Sequence, residues 1–491
     1  MKIITAINEH VLAKTIERCR ERGILIPTFA QMKDPTLIPA KIKERLTQIG
    51  LWDVHPLNLF RISWKNEPKD FGGLYGNGNW VEFPPELTGV DARIIGLVGK
   101  WFPTGAHKVG AGFGCLVPRL VSGEFDPTRQ KAVWPSTGNF CRGGAFDCAL
   151  LACHAVAILP EEMSQERFEW LREIGTDEIF ATPGCESNVK EIYDKCWELR
   201  RERGNDIVIF NQFDEFGNAI WHYHVTGAMI EEVYNAVRAP NSRFGAYISA
   251  TGSAGTLAAG DYLRTLFPSL RVVATEALQC PTLLSCGFGG HRIEGIGDKH
   301  VPWIHNVRNT DAVSAIDDEQ TIALMRLFNE DAGQQTLRNM GVADELIKQL
   351  PLLGISSICN LIGCIKTAKF FEMNHQDVLF TPLTDSMDLY QSRMIEQRNV
   401  HGPYTEQAAI AHAARYLHGT ATDNYMELTY HDRKRLHNFK YFTWIEQQGR
   451  TVDELRQLWD PDFWPGIFSQ VEEWDQLIEA FNSRTGVLAT V

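Results

Sequence analysis

The sequence predicts an α/β protein with two open, twisted, mostly parallel sheets flanked by helices, followed by a C-terminal helical extension. From residue 93 to residue 389, short β-branched runs alternate with amphipathic or small-residue helical stretches. This alternation is typical of parallel sheets that are covered on both faces. The chain has 491 residues, and single hydrophobic cores stop growing beyond roughly 250–300 residues, so more than one domain is expected.

Eight segments rich in β-branched and apolar residues are predicted as strands. The stretches between them have helical periodicity, for example residues 164–174, 256–266 and 319–333. The predicted strands are residues 92–98, 131–134, 154–159, 178–182, 206–210, 246–250, 271–276 and 377–383.

The ends of the chain differ from this alternating region. Residues 9–23 and 37–49 are predicted as helices and residues 59–63 as a strand. Beyond residue 395 a helix is predicted over 404–417, and a capping box at Thr451 opens another. A third helix there has a packing face at helical spacing, formed by Ile467, Val471, Trp474, Leu477 and Phe481.

These changes in character predict four regions. An N-terminal segment, 1–92, packs on the larger domain. A smaller α/β domain, 93–227, and a larger one, 228–395, follow. The helical extension, 396–491, is expected to cover the core or a subunit interface.

Composition excludes several classes of protein. The formal net charge is −13, so nucleic acid is not an expected partner, because phosphate binding needs clustered Lys and Arg. The longest apolar run, residues 149–159, is shorter than the ~20 residues that cross a bilayer, so no membrane partner is expected. With no signal-peptide pattern, and with eleven scattered cysteines, a cytoplasmic protein is predicted, without a disulfide framework or a metal site.

A turn rich in proline and glycine, residues 103–107, delivers Lys108 to the start of a small-residue helical stretch. A lysine held in a desolvated cleft stays neutral and nucleophilic, which suits Schiff-base chemistry. On this segment alone, a surface lysine beside a flexible loop is the better interpretation.

A second candidate loop, residues 136–140, follows a predicted strand and precedes a helix. Hydroxyl groups and a glycine at a helix N-terminus form a seat for an anion such as a substrate carboxylate, because free N–H groups and the macrodipole converge there. An ordinary capped helix explains the same residues about as well.

A third loop, residues 252–256, also lies between a strand and a helix, and its close-set glycines suit a phosphate. It lacks the Gly-Lys-Ser/Thr of a P-loop and the spacing of a dinucleotide fingerprint. Gly110, Gly112 and Gly114 also invite a dinucleotide interpretation, but they follow the lysine loop rather than a strand.

In order and content, these loops and Thr384-Asp-Ser386 resemble the fold-type II pyridoxal-phosphate enzymes. The nearest branch is that of cysteine synthase and cystathionine β-synthase, which is tryptophan synthase β-like. Connecting stretches agree: Pro160 to Arg167 resembles the family's Pro-x-x-Met-Ser-x-Glu-Arg, and His291 to Gly297 its His-Lys-Ile-x-Gly-Ile-Gly. The resemblance covers roughly residues 55–395.

The resemblance implies that pyridoxal 5′-phosphate is the cofactor and that Lys108 both binds it and removes the substrate's α-proton. Asn139 would contact the phenolic oxygen, and Ser386 the pyridine nitrogen. A serine hydroxyl does not stabilise a protonated pyridinium, so loss of a β-substituent is favoured over transamination. The implied phosphate ligands are Gly252, Ser253, Ala254, Gly255 and Thr256. The implied substrate ligands are Ser136, Thr137, Gly138, Phe140 and Gln212.

The implied reaction is β-replacement on an L-amino acid such as serine, O-acetylserine or cysteine, through an aminoacrylate intermediate. Two alternatives stay open: α,β-elimination of the ammonia-lyase, dehydratase or desulfhydrase type, and a non-catalytic binding protein. Family analogy implies a homodimer.

The sequence also departs from the family. Phe140-Cys141-Arg142 replaces small residues after Asn139, and Asp298-Lys-His300 follows Gly297 where the family has small residues. The second change places charge near the mouth of the cleft. Both changes bear on the substrate more than on the cofactor.

Overall fold

The computed structural model describes residues 1–68, 70, 72–136, 138–185 and 187–490. In this part of the chain the strands form two sheets. The strands are β1 (Trp80–Phe83), β2 (Arg93–Val98), β3 (Lys131–Pro135), β4 (His154–Pro160), β5 (Glu178–Thr182), β6 (Ile207–Ile209), β7 (Arg243–Ala250), β8 (Arg271–Ala277), β9 (Ala312–Ile316), β10 (Asp377–Leu383) and β11 (Tyr425–Glu427).

The larger sheet has seven strands in the order β1-β2-β10-β7-β8-β9-β11. Its five inner strands pair in parallel, and only the edge strands β1 and β11 are antiparallel to their neighbours. Every residue of β10 is buried, as expected for an inner parallel strand covered on both faces. The smaller sheet, β5-β4-β3-β6, is parallel throughout. The predicted fold class is thus confirmed.

The α-helices fill both faces of the sheets and form the C-terminal extension. They are α1 (Glu9–Glu21), α2 (Phe29–Lys33), α3 (Ala40–Leu46), α4 (Pro85–Thr88), α5 (Lys108–Ser122), α6 (Asn139–Leu150), α7 (Gln165–Glu173), α8 (Val189–Arg203), α9 (Phe216–Trp221), α10 (Gly227–Val237), α11 (Ala258–Leu266), α12 (Thr282–Ser285), α13 (Asp318–Asn329), α14 (Asp331–Asn339), α15 (Asp344–Ile347), α16 (Ile355–Phe370), α17 (Gln391–His401), α18 (Glu406–Ala413), α19 (Tyr430–Lys440), α20 (Val452–Gln457), α21 (Phe463–Phe468) and α22 (Val471–Thr485).

Two predictions about residues 59–98 differ from the structure. The predicted strand at residues 59–63 is wrong, because Pro56–Arg61 forms a 3-10 helix. The buried Arg61 guanidinium donates to the carbonyls of Ile49 and Leu46, at 2.7 and 2.8 Å, and so holds this turn against the preceding loop. Strand β2, placed by the sequence in the smaller domain, pairs with β10 in the larger sheet. The division into four regions stays a prediction.

Helix α5 is largely buried and packs against α6 and α9, and its glycines serve packing. A side chain at Gly110 would lie 2.1 Å from the Trp221 ring, and one at Gly114 would lie 2.4 Å from the Gly217 carbonyl. These positions therefore let α9 approach α5 closely, which explains them without a dinucleotide.

The C-terminal extension closes over the start of the chain. The Asp475 carboxylate on α22 accepts the backbone N–H groups of Phe29 and Ala30, at 2.7 and 3.0 Å, and so caps α2. Trp474 packs against the Phe29 ring at 5.8 Å, and Asn482 exchanges two hydrogen bonds with the backbone of Ile26. We call this contact between residues 26–30 and α22 the terminal clasp.

Helices of the described residues are all too short or too polar to cross a bilayer.

Candidate active site

One cavity lies where strands of both sheets end. It is bounded by residues that follow β3, β7 and β10, and by the first residues of α5 and α6. The carboxyl ends of parallel strands are where open α/β sheets bind ligands. The lining residues are His107, Lys108, Ser136, Asn139, Phe140, Gln212, Ser249, Ala250, Gly252, Ser253, Ala254, Thr256, Gly295, Ile296, Asn360 and Thr384.

Lys108 is the first residue of α5, and its amine lies inside the cavity rather than on the surface. Its Nζ donates to Ser253 Oγ at 3.1 Å and to Gln212 Oε1 at 3.5 Å. The two acceptors are both buried. Lys108 therefore meets the predicted phosphate loop through one acceptor and a predicted substrate ligand through the other.

The loop from Gly252 to Thr256 presents its backbone to the cavity. Within the described part of the chain, none of its five N–H groups donates a hydrogen bond to another backbone group. Ala254 has φ +63°, a left-handed conformation that turns successive N–H groups the same way and forms an anion nest. The loop then runs through a 3-10 turn into α11, whose N-terminus adds its dipole.

Asn218 supports this loop with hydrogen bonds. Its Nδ2 donates to Ser253 Oγ at 2.9 Å and to the Gln212 carbonyl at 3.0 Å. Gly255 does not line the cavity; a side chain there would lie 2.1 Å from Asn218 Oδ1. The glycine is thus required because the asparagine supports the loop.

The predicted substrate loop joins β3 to α6. Ser136 Oγ accepts hydrogen bonds from Gly138 N–H at 3.0 Å and from Gln212 Nε2 at 3.3 Å. Ser136, Phe140 and Gln212 line the cavity, whereas Gly138 supports the loop from outside it. Thr137, the remaining predicted ligand, lies outside the described residues.

Asn139 belongs to a buried polar chain. Its Nδ2 donates to Asp385 Oδ2 at 2.6 Å, and the Tyr390 hydroxyl donates to the same oxygen at 2.8 Å. Arg167 donates to the Tyr390 hydroxyl at 3.0 Å and pairs with the Glu294 carboxylate. Burial raises the pKa of the Asp385 carboxyl, while the nearby Arg167 opposes that shift. Asn139 Oδ1 has no protein partner in the described chain, so it can meet a ligand.

The segment after β10 places its three side chains differently from the prediction. Thr384 lines the cavity, and Asp385 turns away to Asn139. Ser386 does not line the cavity; its Oγ accepts the Asp388 N–H at 3.4 Å and caps a 3-10 turn. Contact between Ser386 and a pyridine nitrogen therefore stays a prediction.

His107 is a lining residue that the sequence analysis did not single out. Its Nε2 lies 3.2 Å from Thr384 Oγ1, and its ring packs edge-on against His222 at 4.9 Å. Burial, helped by the nearby Lys108 charge, lowers the His107 pKa to about 3. The imidazole is therefore neutral and orients the Thr384 hydroxyl. The position beside Lys108 was the available signal for it.

Comparisons with known proteins concern the family and the fold. A family model described as "Pyridoxal-phosphate dependent enzyme" matches residues 102–336. A cysteine synthase of Staphylococcus aureus is 28% identical over 261 residues, which cover 53% of this chain and 75% of that protein. A probable cysteine synthase of Bacillus subtilis is 27% identical over 232 residues, covering 47% of this chain and 72% of that protein.

Solved structures show the same fold. A cysteine synthase from Entamoeba histolytica superposes with a TM-score of 0.57 at 19% identity, covering 70% of this chain and 93% of that one. An O-acetylserine dependent cystathionine beta-synthase from Helicobacter pylori gives a TM-score of 0.54 at 20% identity, covering 65% of this chain and 95% of that one.

The chain thus has the fold of the type II pyridoxal-phosphate enzymes. Within that class it resembles the cysteine synthases, and its cofactor is pyridoxal 5′-phosphate. The residues present fit that cofactor. The nest at 252–256 offers N–H groups for a phosphate, Lys108 offers an amine for the aldehyde, and Asn139 offers a free Oδ1.

Proposed function

We propose that this protein catalyses β-replacement on an L-amino acid such as serine, O-acetylserine or cysteine. The observation that carries the proposal is the position of Lys108 Nζ, which contacts both Ser253 of the phosphate nest and Gln212, a predicted substrate ligand. One amine so placed serves the cofactor and the substrate's α-carbon together.

The chain's own residues divide the work. Lys108, the nest at 252–256 and Asn139 would hold the cofactor, which supplies an electron sink for the substrate's α-carbon when it is bound. Ser136, Gln212 and the N-terminus of α6 would hold the substrate carboxylate. Lys108 Nζ would take the proton from the α-carbon and later return it. Thr384, which lines the cavity with its hydroxyl 3.2 Å from His107 Nε2, would offer the cofactor a neutral hydroxyl.

Burial strengthens the hydrogen bonds of the residues that would hold the cofactor and the substrate. Ser136, Asn139, Gln212 and Ser253 are each at most 5% exposed, so their hydrogen bonds act in a medium of low dielectric constant. An amino acid whose carboxylate is held here in a fixed orientation presents its Cα–H bond to a single base. This is the condition for efficient proton transfer.

Family analogy and the cysteines support two further parts of the proposal. We infer a homodimer, tested by light scattering of the purified protein, and a cytoplasmic location, tested by fractionation. The described cysteines are all unpaired thiols, as is usual in a reducing compartment. The four-region division is proposed with them, and limited proteolysis tests its boundaries.

The test is to reduce the holoenzyme with borohydride and map the labelled peptide. We expect a pyridoxyl label on Lys108 and none in Lys108→Ala. The matched control is Lys100→Ala, since Lys100 lies in the preceding turn and pairs with Asp388 at 2.8 Å. A label on another residue would overturn the proposal.

Product analysis then separates the reactions. With L-serine or O-acetyl-L-serine and a thiol, a thioether amino acid without pyruvate supports β-replacement. Pyruvate and ammonia as the main products would instead establish α,β-elimination. A protein that stays colourless with pyridoxal phosphate would favour the alternative of a non-catalytic binding protein.

A further inference from the structure

Ser253 lies in the wall of the candidate active site, and its hydroxyl oxygen receives two N–H donors. Lys108 Nζ donates to Ser253 Oγ at 3.1 Å, and Asn218 Nδ2 donates to it at 2.9 Å. A hydroxyl group has one proton and two acceptor lone pairs. Because the protein engages both lone pairs, the proton of Ser253 is the part of the group that is left for a ligand.

The direction of the Asn218 amide is set by the main chain. Its Nδ2 also donates to the Gln212 carbonyl at 3.0 Å, and a carbonyl oxygen can only accept. The amide therefore cannot be reversed without placing Oδ1 against another acceptor. Asn218 lies on α9 and is fully buried, so water offers it no alternative partner. It is consequently a fixed donor to Ser253.

The other groups of the phosphate nest suit the same kind of ligand. Within the described chain, none of the five N–H groups at residues 252–256 donates to the backbone, so they too are available as donors. The Ser253 proton cannot turn towards Asn218, because an N–H group occupies that direction. It can turn towards the cavity, where the oxygens of a phosphate accept hydrogen bonds.

Asn218 is the more permanent of the two donors. Lys108 Nζ is also the amine proposed to join the aldehyde of the cofactor, and in that bond it no longer serves Ser253 as an ammonium donor. Asn218 does not line the cavity, so a ligand there leaves its contacts in place. A hydroxyl group that accepts a hydrogen bond is polarised and donates a stronger one. The Asn218 amide thus keeps Ser253 turned and polarised after the cofactor has bound.

We propose that Asn218 is a positioning residue, which acts through the Ser253 hydroxyl to give the cofactor phosphate an additional hydrogen-bond donor. The proposal rests on the placement of the cofactor in the proposed function. It assigns to Asn218 an effect on the phosphate that requires the Ser253 hydroxyl. A residue that only supported the loop would act on the N–H groups as well, whether or not position 253 carries a hydroxyl.

The experiment compares pyridoxal 5′-phosphate with pyridoxal, which lacks the phosphate. The dissociation constant of each is measured on the cofactor-free protein by visible absorbance, and the ratio of the two constants reports the contribution of the phosphate. The variants are Asn218→Ala, Ser253→Ala and the double variant. Asn438→Ala, at an exposed position on α19, is the control and should keep the ratio of the wild type.

The expected losses differ among the variants. Ser253→Ala should lower the preference for the phosphate about 10–100-fold, the range for a hydrogen bond to a charged group. Asn218→Ala should lower it about 3–10-fold, because the hydroxyl is still present but is neither polarised nor held. The double variant should match Ser253→Ala within about threefold, since Asn218 has no route to the phosphate without the hydroxyl. Ser253→Thr keeps a hydroxyl and should stay within about threefold of the wild type.

Neutron diffraction of the deuterated, cofactor-loaded wild type gives a second readout that needs no variant. The Ser253 deuteron should lie between Oγ and a phosphate oxygen. An Asn218 deuteron should lie between Nδ2 and Ser253 Oγ, which confirms the direction of the amide.

Three results would overturn the inference: an unchanged ratio in Asn218→Ala, losses that multiply in the double variant, or a Ser253 deuteron that points away from the phosphate. Each of these leaves the pyridoxyl label on Lys108 intact. Absence of that label in the wild type would instead refute the proposed function.

Discussion

Gly255→Ala tests how the phosphate nest is supported. A Cβ at this position would lie 2.1 Å from Asn218 Oδ1 and 2.5 Å from its Cγ. Asn218 is fully buried, so its side chain must leave its present position. It would then lose its hydrogen bonds to Ser253 Oγ and the Gln212 carbonyl.

The expected cost follows from those contacts. Two hydrogen bonds at about 1 kcal/mol each, together with a buried amide left without partners, give a loss of about 3 kcal/mol in the free energy of unfolding. Urea unfolding of the cofactor-free protein measures it. Cofactor binding, followed by visible absorbance, should weaken as well, because Ser253 loses its brace.

A double-mutant cycle sharpens this test. Asn218→Ala removes the obstructing atom, so Asn218→Ala/Gly255→Ala should be more stable than additivity predicts by about 2 kcal/mol. Gly466→Ala, with nothing within 4 Å of the added carbon, is the control and should lie within about 0.5 kcal/mol of the wild type. A Gly255→Ala midpoint equal to that of the wild type, with additive effects in the cycle, would refute the packing argument.

Two further predictions test the buried polar groups. Tyr390→Phe removes the hydroxyl between Asp385 and Arg167 and should lower the free energy of unfolding by about 2 kcal/mol. Urea unfolding measures this loss, with Tyr430→Phe on the surface as the control. An unchanged midpoint for Tyr390→Phe would contradict the prediction. Burial lowers the His305 pKa to about 3, so the unfolded chain alone binds this proton as pH falls from about 6.5, and stability is lost in that range. His305→Gln should therefore reduce the stability difference between pH 7 and pH 5 by about 2 kcal/mol, and an undiminished difference in urea titrations would count against a neutral buried imidazole.

Much of the fold could be predicted from local pattern. The strands at 178–182 and 377–383 match the predicted bounds, because short segments of β-branched and aromatic residues between helical stretches favour strands. Strand β9 was not predicted, because three of its residues, Ala312, Ser314 and Ala315, are small and only two are β-branched. The failure at residues 59–63 has a tertiary cause: the Arg61 guanidinium satisfies carbonyls of the preceding loop and so favours a 3-10 turn over a strand.

The candidate site was likewise predictable only in part. Its three loops could be located because each combines glycine or hydroxyl residues with a strand-to-helix transition. The partners of those loops could not, since Asn139 meets Asp385 across 246 positions of sequence. Asn218 likewise has no local signal, because only the packing of α9 brings it to Ser253 of the phosphate nest.

The terminal clasp has a consequence for synthesis on the ribosome. The backbone N–H of Phe29 bonds to Asp475, which is translated 446 residues later. At roughly 5–20 residues per second this is a delay of about 20–90 s. During that interval the apolar surface destined for Trp474 stays open to solvent. A product that ends before α22 would keep this apolar surface exposed and would be prone to aggregation.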